Sequence, residues 1–272
     1  VLSLKFAAHA TISLTLAEGS GNIRATMIQF DEIRGGFAQL AADRSSFWKV
    51  LLGGFLLINP FLLAFAPAFF AGSDHPWVAP VFFAALGFNI LSFWFPLGFT
   101  YEVLRRARFG TAPQLPEWSF GVLGRYAHEG AVKLLIAVFT LILPVGIWMG
   151  LCHVVFISAL GLPPALLSLF VPPVMMVVIP FCGVGCCRWL DGASALDCAL
   201  NYGENFRLFR KAWKSYLIAS VFLTGLNSIT TAFFYTIPFA AVFGLCLVDT
   251  WFGPIYAATR QDESLDPALA RK

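Results

Sequence analysis

From Leu134 to Cys187 the chain carries no lysine, arginine, aspartate or glutamate, a run of 54 residues whose one basic side chain is His153. No water-soluble core of ordinary size accommodates that. In hydrocarbon every backbone N–H and C=O must be satisfied internally, so a spanning chain is either helical or a closed barrel. A helical crossing takes about 20 apolar residues. The run is too long for one helix and fits two, with Gly161-Leu-Pro-Pro164 as the break. Composition agrees: 58% of the residues are hydrophobic and 12% charged, where a soluble domain carries about a quarter charged. The fold class expected is an all-α, polytopic transmembrane bundle.

The rest of the chain supplies four more crossings. Val50 to Ser73 and Trp77 to Tyr101 are uncharged, and Gly72-Ser-Asp-His-Pro76 turns the chain between them. Ser215 to Thr259 holds one charge, Asp249, and fits two spans with a turn near Tyr235-Thr-Ile-Pro238. Pro144, Pro172, Pro173 and Pro180 fall inside spans and predict kinks. Six spans thus occupy residues 27–260. Residues 1–26 form an extension, either disordered or a weak hairpin, and 261–272 a polar tail. The extension does not read as a secretory signal, because Lys5 and His9 break its apolar run.

Two long polar inserts separate the hairpins. The first, Arg105 to Tyr126, holds four of the eighteen Lys and Arg residues, and the second runs from Arg188 to Lys214. All eighteen fall in the N-terminal arm, in these inserts and the tail or within a few residues of them, and none in the three short links. The positive-inside rule then places both termini in the cytoplasm and the chain in the inner (cytoplasmic) membrane. Three stretches predict amphipathic helices in the headgroup plane: residues 29–43 with Phe30, Ile33, Phe37 and Leu40 on one face, the segment opened by Trp118, and the segment ending in Arg207, Arg210, Lys211, Trp213 and Lys214. Arg105, Arg106 and Arg108 are expected at the lipid headgroups closing the second span. Lys49, Lys133 and Lys214 each open an odd-numbered span at steps of 84 and 81 residues, a spacing compatible with a three-fold repeat or with hairpin logic alone.

Ionisable groups inside a span are costly and are functional candidates by default. Asp249 is read either as a proton or cation site inside the bundle or as a boundary residue of a span that starts early. His153 is read as a haem or pigment ligand or proton relay, or as a neutral residue bonded to a neighbouring helix or near the far interface. Asn59, Asn89 and Asn227 suit interhelical hydrogen bonds, and Gly146 and Gly150 form a small-xxx-small pair. Cys182, Cys186 and Cys187 lack the paired spacing of zinc sites, and read as a soft-metal site, a juxtamembrane acylation site or small buried residues. No metal site is assigned, and the cofactor is left unknown. No nucleophile elbow, zinc-protease helix, phosphate-binding loop or paired intramembrane aspartates occur, so nothing motivates an enzyme. The net charge of +3, without basic runs interleaved with aromatics, gives no nucleic-acid partner.

The first insert and its flanks also carry a family resemblance. A span ending in Leu-Gly-Phe-Thr-Tyr-Glu-Val-Leu-Arg-Arg-Ala-Arg-Phe-Gly (97–110) is followed by Pro113-x-Leu-Pro-Glu-Trp118, then by Gly130 leading to Leu143-Pro144. The opening Met27-Ile-Gln-Phe and Trp48-Lys49-Val-Leu-Leu-Gly-Gly fits the same pattern, and Asn205-Phe-Arg-Leu-Phe fits it more loosely. Over residues 27–260 the chain resembles DUF4013, a bacterial and archaeal family of membrane proteins. It departs at Gly98-Phe-Thr-Tyr101, where that family has Gly-Tyr, and residues 1–26 have no counterpart. The resemblance implies several spans and no reaction, ligand or site residue. The functional expectation is a non-catalytic accessory, scaffold or assembly subunit partnered by lipid and by other membrane subunits. The alternatives are a transporter or channel using Asp249, and pigment or haem binding through His153.

Overall fold

The computed structural model describes the backbone of residues 30–110, 114–230 and 236–265, and side chains from 35 to 261 apart from 39, 111–113 and 227–235. The expected hairpin or disordered extension at 1–26 and the turn near 235 lie outside these residues, as does the end of the tail. Every described element is a helix, and no strand occurs among the described residues. Five helices are long and apolar enough to cross a membrane: Ser46–Phe70, Val78–Phe109, Phe120–Ala159, Pro164–Leu190 and Ile237–Gln261. They make this a membrane-embedded fold. Six spans were expected. The remaining candidate, α11 (Trp213–Thr230), is 18 residues long, and Lys214, Ser215, Ser220 and Thr224 lower the hydropathy of its sequence.

A short helix α1 (Phe30–Ala42) precedes the first hairpin. The first crossing is broken into α2 (Ser46–Leu57) and α3 (Pro60–Phe70), with Ile58 extended between them. Pro60 has no N–H to return to Leu56, so the break frees carbonyls at membrane depth, where each would be costly unpaired. The returning helix α4 (Val78–Ser92) supplies the missing donors. Asn89 Nδ2 donates to Leu57 O at 2.8 Å and Ser92 Oγ to Leu56 O at 2.8 Å, while Asn89 Oδ1 accepts from Asn59 N at 3.0 Å. The Asn89 side chain thus bonds across to the first crossing, whereas the Asn59 side chain caps its own helix by accepting from Phe61 N at 2.9 Å. After α4, Phe93 keeps helical geometry and leads into α5 (Trp94–Phe109).

From Phe120 the chain runs helically to Ala159. Its parts are α6 (Phe120–Ala137), a π-helical stretch at Val138–Ile142, α7 (Leu143–Cys152) and a second π-helical stretch at His153–Ala159. The first π stretch ends two residues before Pro144, which cannot donate to Thr140 O. A 3₁₀ turn, Pro164–Phe170, then feeds α8 (Val171–Leu190). Two short helices, α9 (Ala195–Leu200) and α10 (Tyr202–Lys211), fill the second insert, capped by Ser194 and Asn201. The last helix, α12 (Ile237–Leu265), continues past the expected end at 260.

Helix α12 is the axis of the bundle, packing on α5, α11, α2, α1 and α8. The tightest crossing is α5 on α6. A Cβ at Gly98 would stand 2.0 Å from Tyr126 O, and one at Gly130 would stand 1.9 Å from Trp94 O. Only glycine at both places lets the two backbones touch. Arg105, Arg106, Arg108, Arg188 and Arg260 gather where α5, α8 and α12 leave the membrane-length stretches. This end of the bundle is called the basic end below. The shared core lies toward it, built from Phe99, Leu104, Cys186, Leu247, Phe252, Tyr256 and their neighbours. The far halves of the first two hairpins contribute almost nothing to it, and α3 packs chiefly on α4.

Candidate functional site

Lys133 on α6 and Asp249 on α12 form an ion pair inside the bundle. The ammonium donates to Asp249 Oδ2 at 2.6 Å and to Thr100 Oγ1 on α5 at 2.9 Å. Lys133 is 6% exposed, Asp249 4% and Thr100 fully buried. The glycine contacts place these three groups. Gly98 and Gly130 bring α6 onto α5, and Gly253 seats α12 against the backbone of Ala107 and Arg108.

Three helices agree on the depth of the pair. Glu129 precedes Lys133 by four residues, Arg105 follows Thr100 by five, and Gly253 follows Asp249 by four. Glu129, Arg105 and Gly253 mark the level of the basic end, so the pair lies about one helical turn, or ~6 Å, deeper. Asp249 is thus enclosed by protein, about one turn inside the basic end. Cys182 and Cys186, one turn apart on α8, lie near Lys133. Cys186 and Cys187 are buried and all six cysteines are free. Among the described residues no three His, Cys, Asp or Glu side chains gather as a metal set.

The arginines expected at the headgroups are bonded within the chain. Arg105 bridges Glu102 and Glu129, each at 2.5 Å. Arg106 donates to Gln114 O and sits 3.4 Å from Glu102, while Arg108 reaches Asp191 at 3.3 Å. The Trp118 ring stacks on Phe99 at 4.6 Å and its Nε1 donates to Lys49 O. Lys49 is buried rather than anchored at an interface, since Asp43, Glu117 and Leu115 O all accept from it. Burial works against an ionised Asp43, but hydrogen bonds from Lys49 and Ser45 prevail and hold its carboxyl at about 2. Arg207 pairs with Glu204, Arg210, Trp213 and Lys214 are exposed, and Lys211 is half-buried. Two of the three evenly spaced lysines are therefore buried and paired, and Lys214 is not, so the third unit departs from any repeat.

His153 is exposed on the apolar surface, about two turns from the far end of its helix. Gly146 and Gly150 lie on the same side, and among the described residues nothing stands within 4 Å of a Cβ at either. The small-xxx-small pair thus packs against nothing among the described residues. Asn227 lies on α11, with its side chain outside the described ones.

Sequence reasoning missed Lys133 as the counter-ion. The signal was present: Glu129 and Lys133 are one turn apart in a helix otherwise apolar toward the membrane, and a lone intramembrane acid requires a cation. The network around Arg188 was also missed. Its guanidinium donates to Asn205 Oδ1 at 2.7 Å and to the Asp197 carboxylate, and Asn205 Nδ2 donates to Cys198 O. This ties the second insert to α8.

No family model, no curated protein and no solved structure matches this chain.

Proposed function

We propose that this chain is a non-catalytic scaffold or assembly subunit of a membrane complex, and that a partner's transmembrane helix lies along Gly146, Gly150 and His153. The observation that carries it is that stripe. Small residues four apart let two backbones approach closely, yet this pair faces no other part of the described chain. A polar imidazole exposed on an apolar helix beside it gains from a hydrogen-bonding neighbour. The π-helical geometry at His153–Ala159 supports the same reading, because such bulges recur at functional positions. Lys133, Thr100 and Asp249, by contrast, are bonded to one another. Asp249 is closed by Lys133, which favours a lock over a transport site.

On this reading α11 and α12 form a third hairpin, giving six crossings. The basic end and both termini face the cytoplasm, and α1 and α10 lie at the headgroups. Membership of the DUF4013 family belongs to the same proposal. A photoreactive residue at Ile147, beside the stripe and 57% exposed, tests the reading in native membranes. A discrete protein adduct is expected. Adducts with lipid alone would count decisively against it.

A further inference from the structure

A cleft of about 630 Å³ lies between α1, α2 and α12, within the range of ~300–1,000 Å³ usual for small-molecule sites. Val50 and Leu51 line it from α2, Phe239 and Phe243 from α12, Leu40 from α1 and Leu115 from the first insert. Ser46 and Thr236 are its only polar lining side chains among the described residues. A Cβ at Gly54 would stand 2.3 Å from Phe239 Cδ1, so Phe239 lies at the level of Gly54. That is eight residues past Ser46, or ~12 Å of helix rise into the membrane. The depth is close to that of one leaflet, about half of the ~30 Å hydrocarbon core, and falls well short of a partner's spanning helix. Water gains little in an apolar cavity, and an empty one forfeits dispersion contacts along every wall. An acyl chain fits both the length and the lining.

The end of the cleft at Ser46 and Leu115 is flanked by charge. Lys49 donates to Leu115 O, Asp43 and Glu117, and so holds the first insert against the start of α2. Asp43 is buried in that contact, but the Glu117 side chain stays 77% exposed. Arg44, two residues before Ser46, is exposed and forms no ion pair among the described residues. The flanks thus offer one exposed cation and one exposed carboxylate above an apolar interior. That arrangement is complementary to an amphiphile whose head carries both charges.

We propose that this cleft binds one phospholipid with a phosphoethanolamine headgroup. An acyl chain lies against Val50, Leu51 and Phe239, the phosphate meets Arg44, and the ammonium meets Glu117. Arginine suits the phosphate by geometry as well as charge. The site is separate from the stripe at Gly146 and Gly150, and it stands whether or not a partner helix lies there.

Native mass spectrometry of the purified full chain in an uncharged detergent tests this, with phosphatidylethanolamine titrated in competition with phosphatidylglycerol. One phosphatidylethanolamine should bind saturably per chain, in preference to phosphatidylglycerol. Ala240 lines the cleft, so Ala240→Phe puts a ring where the acyl chain lies and should weaken binding at least tenfold. Arg44→Gln changes only an exposed side chain, so the fold stands, and it should weaken binding about fivefold, the upper end for an exposed charge pair. Thermal unfolding of the lipid-free chains checks that both variants are folded. Should Ala240→Phe unfold, Arg44→Gln and the headgroup preference carry the test. The proposal fails if no phospholipid binds saturably, if phosphatidylglycerol binds as well as phosphatidylethanolamine, or if a folded variant binds as tightly as the parent chain. A lipid-free dimer broken by Ala240→Phe would put a second copy in the cleft and overturn it equally.

Discussion

Removing one member of the Lys133–Asp249 pair should unfold more of this protein than its size suggests. At 2.6 Å and an effective dielectric constant of about 20, the Coulomb attraction is about 6 kcal/mol. Desolvating two buried ions consumes most of that, so the net gain over an apolar pair is small. The asymmetry appears when one partner goes. Lys133→Met leaves a carboxylate 4% exposed with no cation, and Asp249→Leu leaves an ammonium that keeps only Thr100. Each single change should cost about 3–5 kcal/mol, and the double change should recover most of the loss. Unfolding in lipid nanodiscs, followed by tryptophan fluorescence, gives the four corners of the cycle. Single costs below about 1 kcal/mol that simply add in the double variant would refute the reasoning.

Other outcomes follow from the same geometry. Gly98→Ala or Gly130→Ala drives a Cβ into backbone at about 2 Å and should cost about 3 kcal/mol or more in thermal unfolding, whereas Gly146→Ala should be neutral or mildly stabilising. Asn89→Ala orphans Leu57 O and Asn59 N and should cost about 2–3 kcal/mol, read by the same unfolding assay. Asp43 has its carboxyl depressed from 3.8 to about 2, so its contribution is complete above about pH 4 and disappears as pH falls through about 2. It amounts to about 2 kcal/mol, and Asp43→Asn should flatten that part of the stability–pH curve.

The positions of the crossings were legible because charge is so sparse here. The links at 72–76 and 161–164 fall at turns, with Gly72 and Gly161 both at positive φ. The role of Asn89 was legible for a related reason, since a lone amide inside a span needs a neighbour, whereas Asn59 turns its side chain to its own helix. What pattern reading could not supply was who meets whom across helices. Lys133 and Asp249 are 116 residues apart, and only the Gly98–Gly130 crossing makes them neighbours. Trp118 and Lys49 look like interface anchors by type. The structure turns them inward because Phe99 offers a stacking face, and Asp43, Glu117 and Leu115 O offer acceptors. The continuous helix from Phe120 to Ala159 was unread for a simpler reason, as the segment opened by Trp118 looks like a separate helix lying along the headgroups.

The proposed partner helix is tested most directly by purifying the full chain from native membranes in mild detergent, beside Gly146→Leu/Gly150→Leu. Nothing among the described residues stands within 4 Å of either position, so the variant should fold and run at the same apparent thermal stability. The account predicts a stoichiometric membrane-protein companion with the parent chain and its loss from the variant. A chain that purifies alone, or a companion retained equally by both, would contradict it.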